Sequence, residues 1–294
     1  MSLAESPRRA DDAPANAETA QKAIWGRLRM EAASAAAEEP VLASFLNAAI
    51  LRHDRFTDAL AQRLAAKIAD PQLDAILVHD VVLDALKSDP EIAERAAADM
   101  MAIDERDPAC RSLLQPFLYY KGYHAIESYR IAHWLWEQGR ETLAFHLQSR
   151  ISERFGVDIH PAARIGKGIM VDHATAVVIG ETAVVGDNVS LLHEVTLGGT
   201  GSEAGRRHPT IGNGVLIGAG AKVLGDITVG EEARIAAGSV VLKSVPAHCT
   251  VAGVPARAVG ECAEPARTMD QTLTESAGAD AGASADRGDH PQGG

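Results

Sequence analysis

Four groups of side chains in this sequence have types and spacings that suit chemistry. The first is Asp172-His173, with Asp158 fifteen residues upstream. A carboxylate behind an imidazole fixes its tautomer and raises its basicity, the arrangement of a general base acting on a hydroxyl. The plainer reading is a set of polar residues at turns. The second is Asp158-Ile159-His160, which carries that carboxylate beside another imidazole. The third is Arg206-Arg207-His208-Pro209. A guanidinium suits bidentate capture of a carboxylate; the plainer reading is a solvated basic loop. The fourth is the Gly/Ala-lined pair GAGAKVLG (218–225) and AAGSVVLK (236–243), with Lys222, Arg234 and Lys243 positioned to meet phosphates. Ala219 and Ala237, eighteen residues apart, leave a narrow groove if they stack, where backbone groups can hold a long thin ligand. Tight corner packing is the plainer reading. His193 has only the adjacent Glu194 for a carboxylate and reads as structural or substrate-adjacent.

The elements that must position these groups follow a six-residue rhythm. Ile211, Ile217, Val223, Val229, Ile235 and Val241 recur at every sixth position, and Ile159, Ile165, Val171 and Ile179, Val185, Leu191, Leu197 keep the same spacing. That period fits neither a helix nor an ordinary strand and marks a repeat architecture. It predicts a parallel β-helix in which three hexapeptides make one triangular coil and the aliphatic residue points inward. The glycines beside these residues permit the corners. A β-sandwich has longer alternating strands and wider turn spacing. The frame breaks twice. Val171 to Ile179 is eight residues, immediately after Asp172-His173, and Leu197 to Ile211 is fourteen, so the stretch GGTGSEAGRRHP leaves the coil as a loop. Insertions in solenoids map to loops that often carry function.

The 294 residues suffice for two domains with substantial cores. Twenty-eight basic against 40 acidic residues give a net charge of −12, which argues against nucleic-acid and anionic-membrane binding. A local basic pocket remains compatible with it. Cys110, Cys249 and Cys262 are odd in number and lack a CxxC spacing, so free thiols in a reducing cytoplasm are expected. The N-terminus shows no signal-peptide apolar core and no run reaches membrane-spanning length.

Composition divides the chain into an expected disordered tail (1–20), an Ala- and Leu-rich helical domain (21–152), a β-helix domain (153–260) with an extruded loop (199–209), and a second tail (261–294). Asp70-Pro71 and Asp89-Pro90 read as helix starts, with Asp as N-cap and Pro in the first turn. Asp107-Pro108 repeats the pattern just before an aromatic run. Such a pairing of domains suggests a symmetric oligomer.

The segments FLYYKGYHAIESYRIAHWLWEQGR, VDIHPAARIGKGIMVDHAT, VTLGGTG, RRHP, IGAGAKVLG and AGVPAR, in order across roughly residues 22–260, closely resemble the bacterial serine acetyltransferases. The resemblance implies an α+β chain: an all-helical N-terminal domain followed by a left-handed parallel β-helix of hexapeptide repeats. It implies acetyl transfer from acetyl-CoA, as co-substrate, to the hydroxyl of L-serine, the first step of cysteine biosynthesis. No metal and no covalent enzyme intermediate are expected. By motif, His173 resembles the general base and Asp158 its orienting carboxylate. Arg207 and His208 resemble the carboxylate-binding pair, and Asp107 and Asp172 the partners of the substrate ammonium. Gly199, Thr200, Ala219 and Ala237 resemble the pantetheine track, with Arg234 and Lys243 as cofactor-binding neighbours. The resemblance also implies a cytoplasmic homotrimer or hexamer, a dimer of trimers, inhibited by L-cysteine. Many members end in Ile, which docks into cysteine synthase; this sequence ends Pro-Gln-Gly-Gly, so that docking is not expected.

Two rivals on the same coil are a hexapeptide acetyltransferase with another hydroxyl acceptor, such as a sugar or homoserine, and a γ-type carbonic anhydrase. A sugar gives a carboxylate-binding Arg no obvious use. The carbonic anhydrase needs three imidazoles on one zinc, whereas His160, His173, His193 and His208 are spaced 13, 20 and 15 apart, with no close pair. A silent oligomeric scaffold is a third class, against which the set Asp158, Asp172, His173, Arg207 and His208 stands.

Overall fold

The aliphatic ladder read from the sequence is the spine of the C-terminal half. A computed structural model describes residues 12–201, 205–260 and 262. Its strands come three to a coil for about four coils. They are β1 (Val157–Ile159), β2 (Arg164–Ile165) and β3 (Met170–Val171); β4 (Val177–Ile179), β5 (Val184–Val185) and β6 (Ser190–Leu191); β7 (Thr196–Gly198), β8 (Thr210–Ile211) and β9 (Leu216–Ile217); β10 (Lys222–Leu224), β11 (Thr228–Val229) and β12 (Arg234–Ile235). A fifth coil begins with β13 (Val240–Val241), and β14 (Thr250–Gly253) and β15 (Ala256–Val259) close the end as an antiparallel hairpin. Parallel pairing makes three faces: face A is β1-β4-β7-β10-β13, face B is β2-β5-β8-β11, and face C is β3-β6-β9-β12-β14. In register, Ile159, Ile179, Leu197, Val223 and Val241 stack on face A. Val171, Leu191, Ile217, Ile235 and Val251 do so on face C. All are buried, so each coil covers the apolar floor of the next.

The helical part comprises α1 (Asp12–Glu38), a 3₁₀ turn (Pro40–Leu42), α2 (Ala43–Leu46) with a π turn (Asn47–Leu51), α3 (Phe56–Ile68), α4 (Ala75–Ser88), α5 (Pro90–Arg106), α6 (Leu114–Leu118), α7 (Lys121–Glu137) and α8 (Glu141–Phe155). Helix α1 begins inside the stretch expected to be a tail; residues 1–11 and, apart from Cys262, the C-terminal tail lie outside the described residues, and with them the expectation about cysteine synthase. Asp89 caps α5 as expected, accepting from Glu91 N at 3.0 Å with Pro90 in the first turn. Asp70-Pro71 does not start a helix. Asp70 accepts from Gln72 N and Leu73 N in a local turn, and Asp74 caps α4 four residues later. Among the described residues, no helix is long and apolar enough to cross a membrane.

The expectation of three free thiols is corrected: Cys249 and Cys262 form a disulfide, and Cys110 is free. Spacing hid the pair because the β14–β15 hairpin turns the chain back on itself, Thr250 opposite Val259.

The two parts are joined by groups that reach from helices to coil carbonyls. Arg130 donates to Ile165 O and Gly166 O (3.3 and 2.8 Å) and pairs with the buried Asp99. Asp99 in turn accepts from Ile169 N at 2.7 Å. Helix α7 comes so close to β3 that a Cβ on Gly122 would lie 2.0 Å from Val171 O. Helix propensity favours Ala over Gly by about 1 kcal/mol, but overpacking against backbone costs about 1–3 kcal/mol. Gly122→Ala is therefore expected to lower stability, a loss readable as a reduced urea midpoint in equilibrium unfolding.

Candidate active site

The two-residue slip after Val171 is absorbed at a corner between faces C and A. Three of its residues take left-handed backbone without being glycine: His173 (φ 55), Ala174 (φ 57) and Ala176 (φ 60). Strain of this kind persists where surrounding structure enforces it and points to a functional position. It lifts the His173 side chain to 74% exposure, with Nε2 3.7 Å from Asp172 Oδ2.

Above this corner lies the end of α5. Arg106 donates to Gly168 O, Asn188 O and Asn188 Oδ1, each at 3.1 Å, fastening the helix end to two successive coils. The next residue, Asp107, thereby joins Asp172, His173, Tyr120 and Lys121 around a cavity of about 340 Å³. Burial, then the Asp107 charge, pushes the Tyr120 phenol up to about 12. Lys121 Nζ donates to Thr175 Oγ1 on the same corner. The cavity thus presents two carboxylates and an imidazole, suited to an ammonium beside a reacting hydroxyl. Tyr120 belonged to the aromatic run noted in sequence, but nothing there singled it out.

Arg207 and His208 lie elsewhere, at the corners between faces A and B. At the end of the extruded loop, Arg207 N and His208 N donate to Thr182 Oγ1 (3.0 and 3.1 Å). Arg207 pairs with Glu181 at 2.5 Å. The Arg207 hydrogen bond holds the Glu181 carboxyl below its usual range. Burial, then the Arg207 charge, pulls the His208 imidazole below its usual value. His208 is seated on Gly180, where a Cβ would meet the ring at 2.0 Å. Glu181 and Thr182 escaped the sequence reading because they look like ordinary coil corner residues.

Asp158 joins neither group directly. It points outward from face A between the buried Val157 and Ile159, and its strand partner is Val178. The slip makes this coil twenty residues long, so the fifteen-residue spacing does not put Asp158 and His173 on one edge. Among the described residues Asp158 Oδ1 accepts one hydrogen bond, from Gln148 Nε2 at 2.7 Å, and makes none with His173. Gln148 reaches it because Gly156, left-handed at φ 68, reverses α8 straight into β1. The corner carrying His173 closes on that junction, Ala176 N donating to Gly156 O at 2.7 Å.

The cofactor candidates also divide. Ala219 and Ala237 stack at the edge between faces C and A, with Gly238 N donating to Ala219 O at 2.7 Å, in line with His173. Gly199, Thr200 and Lys243 follow strands of face A at the edge towards face B, and Arg234 stands on face C. His193 is brought to His173, their rings edge to face at 5.8 Å. Among the described residues no group of three or more His, Cys, Asp or Glu is placed to hold a metal ion.

A family model for the serine acetyltransferase N-terminal domain matches residues 24–128, and one for the bacterial transferase hexapeptide (six repeats) matches 208–243. A serine acetyltransferase of Salmonella typhimurium is 53% identical over 250 residues, 84% of this chain and 92% of that one. This chain belongs to the serine acetyltransferase family. Membership makes it an acyltransferase of the hexapeptide-repeat kind. The Neisseria gonorrhoeae serine acetyltransferase solved in complex with serine superposes with a TM-score of 0.78 at 54% identity, covering 80% of this chain and 96% of that one. The Brucella abortus enzyme in complex with coenzyme A gives 0.80 at 52%, covering 81% and 95%.

Proposed function

We propose that this chain transfers the acetyl group of acetyl-CoA to the hydroxyl of L-serine, giving O-acetyl-L-serine and CoA, as the first step from serine to cysteine. The observation that carries the reading is the cavity where Asp107, Asp172 and His173 meet under the end of α5. Two carboxylates match the serine ammonium, and the exposed imidazole beside them takes the hydroxyl proton as the oxygen attacks the thioester carbon. The same proton then goes to the departing CoA thiolate, so no acyl-enzyme is needed. By its place in the family motif Asp158 is assigned to orient His173, a contact not made among the described residues of this one chain, and the stacked Ala219 and Ala237 leave room for pantetheine along the same edge. Arg207 and His208 bind the serine carboxylate from a second copy of the chain, because their own edge is the far one. L-Cysteine, with the same ammonium and carboxylate, competes at this site. We place the enzyme in the cytoplasm; one disulfide on a chain with this much core is not a disulfide-built secreted domain.

The test is CoA release from acetyl-CoA with L-serine, homoserine and a sugar compared as acceptors. Turnover with serine far above the others supports the reading. Turnover with another acceptor alone keeps the chemistry and overturns the substrate.

Gln148 holds Asp158 by a hydrogen bond to a charged group, the kind whose loss slows a reaction about tenfold or somewhat more. Gln148→Leu keeps the size and removes the donor. It is expected to lower kcat by that factor with little change in either KM, in steady-state assays.

A further inference from the structure

The corner after β4 holds the end of the extruded loop through one side chain. Residues 180–183 form a tight turn, with Ala183 N donating to Gly180 O at 3.1 Å. Thr182 lies inside that turn. Its Oγ1 accepts from Arg207 N at 3.0 Å and from His208 N at 3.1 Å. The next residue of the loop is pinned as well, Val184 N donating to Pro209 O at 3.1 Å. Two amides occupy both lone pairs of the hydroxyl, so what it has left to offer is its proton. The acceptor in reach is His208 Nδ1, 2.9 Å away.

The backbone of the same residue fixes the tautomer of that ring. Thr182 N donates to His208 Nδ1 at 3.2 Å. An amide N–H has a set direction and only donates, so Nδ1 cannot carry a proton against it. His208 is buried, and burial with the Arg207 charge pulls its imidazole below the usual value, which leaves the ring neutral. A neutral ring with an accepting Nδ1 carries its one proton on Nε2. Nε2 makes no hydrogen bond among the described residues. Glycines flank it: a Cβ on Gly180 would lie 2.0 Å from this nitrogen and one on Gly199 3.6 Å. The corner thus offers a preset N–H donor next to the Arg207 guanidinium, which Glu181 holds.

We propose that Thr182 is a positioning residue that selects acceptors by their carboxylate, its N–H and hydroxyl holding His208 as an Nε2–H donor. The inference rests on the reading given under Proposed function, in which Arg207 and His208 receive the serine carboxylate. A carboxylate only accepts, so a ring with its lone pair on Nε2 would repel it. Thr182 excludes that tautomer before the substrate arrives. The two amide bonds to its oxygen also fix the loop end in advance, so binding pays less to order it.

The test is steady-state kinetics on the full chain with serine and acetyl-CoA. Thr182→Val keeps the size and branching and removes the hydroxyl. It is expected to raise KM for serine about tenfold or more, the worth of a hydrogen bond to a charged group. The kcat should stay within a few-fold and KM for acetyl-CoA should not move, the pattern of lost substrate binding. Thr182→Ser retains the hydroxyl and should keep the parent KM for serine. In a His208→Ala background, Thr182→Val should lose most of its effect on kcat/KM for serine, because both changes act on one ring. An unchanged KM for serine in Thr182→Val overturns the proposal. So does a loss that Thr182→Ser shares, or one of full size in the His208→Ala background. Both KM values rising together with an earlier melt would mark a merely structural role and overturn it too. A parent protein that does not acetylate serine, or a His208→Ala protein with the parent KM for serine, overturns the functional reading itself; unchanged kinetics of Thr182→Val where His208→Ala does raise that KM overturns only the role of Thr182.

Discussion

Replacing His173 by alanine is expected to lower serine-dependent CoA release by about a hundredfold to ten-thousandfold, the usual worth of a general base. The melting temperature should barely move. The side chain is 74% exposed and, among the described residues, its one ionic contact is to the neighbouring Asp172, so removing it empties no core. Backbone strain does not confuse the comparison either. His173 sits at φ 55, and histidine and alanine both pay for a Cβ in that conformation, whereas glycine would not. A loss of rate without a loss of stability is thus attributable to the imidazole. The measurement is thiol release followed by a chromogenic reagent, with a urea melt in parallel. A variant within a few-fold of the parent would remove His173 from the reaction and with it the role of its supporting carboxylates.

The β-helix was legible because a six-residue period is a property of the coil itself; Ile211, Ile217, Val223, Val229, Ile235 and Val241 are all buried in the predicted stack. The frame breaks were legible for the same reason. A solenoid tolerates an insertion only at a corner, and the two insertions present His173 and Arg207. What sequence could not supply was the face on which each corner falls. The slip that exposes His173 is absorbed at its own corner, so β4 stays in register on β1 and Asp158 meets Val178 in mid-face, away from that corner. Gln148 stayed hidden because its contact with Asp158 depends on the reversal at Gly156. The Asp70-Pro71 reading failed through competition: the Asp70 side chain satisfied local amides in a turn, leaving Asp74 to cap α4. The Cys249–Cys262 pair likewise required the hairpin.

The second large effect follows from the separation of the two half-sites. Asp172 and His173 precede β4, while Glu181, Thr182 and the residues held on them, Arg207 and His208, follow it. Strands rise about 3.3 Å per residue, so the three residues of β4 alone span about 10 Å. One serine does not reach from Asp172 across that face to Arg207. A site that holds ammonium and carboxylate together needs the far edge of another copy laid against this one, a head-to-tail contact that closes into a ring. His173→Ala and Arg207→Ala chains should each lose nearly all kcat/KM for serine when prepared alone. Coexpressed, they should regain activity, because random mixing leaves about a quarter of the shared sites with both halves intact. The measurement is serine-dependent CoA release from the purified mixed oligomer, compared with the sum of the two separate variants. Activity no greater than that sum would mean that each chain builds its site alone, and that the Arg207 loop must swing across face A to do so. Recovery near a quarter would fix both the sharing of the site and the direction in which the copies face each other.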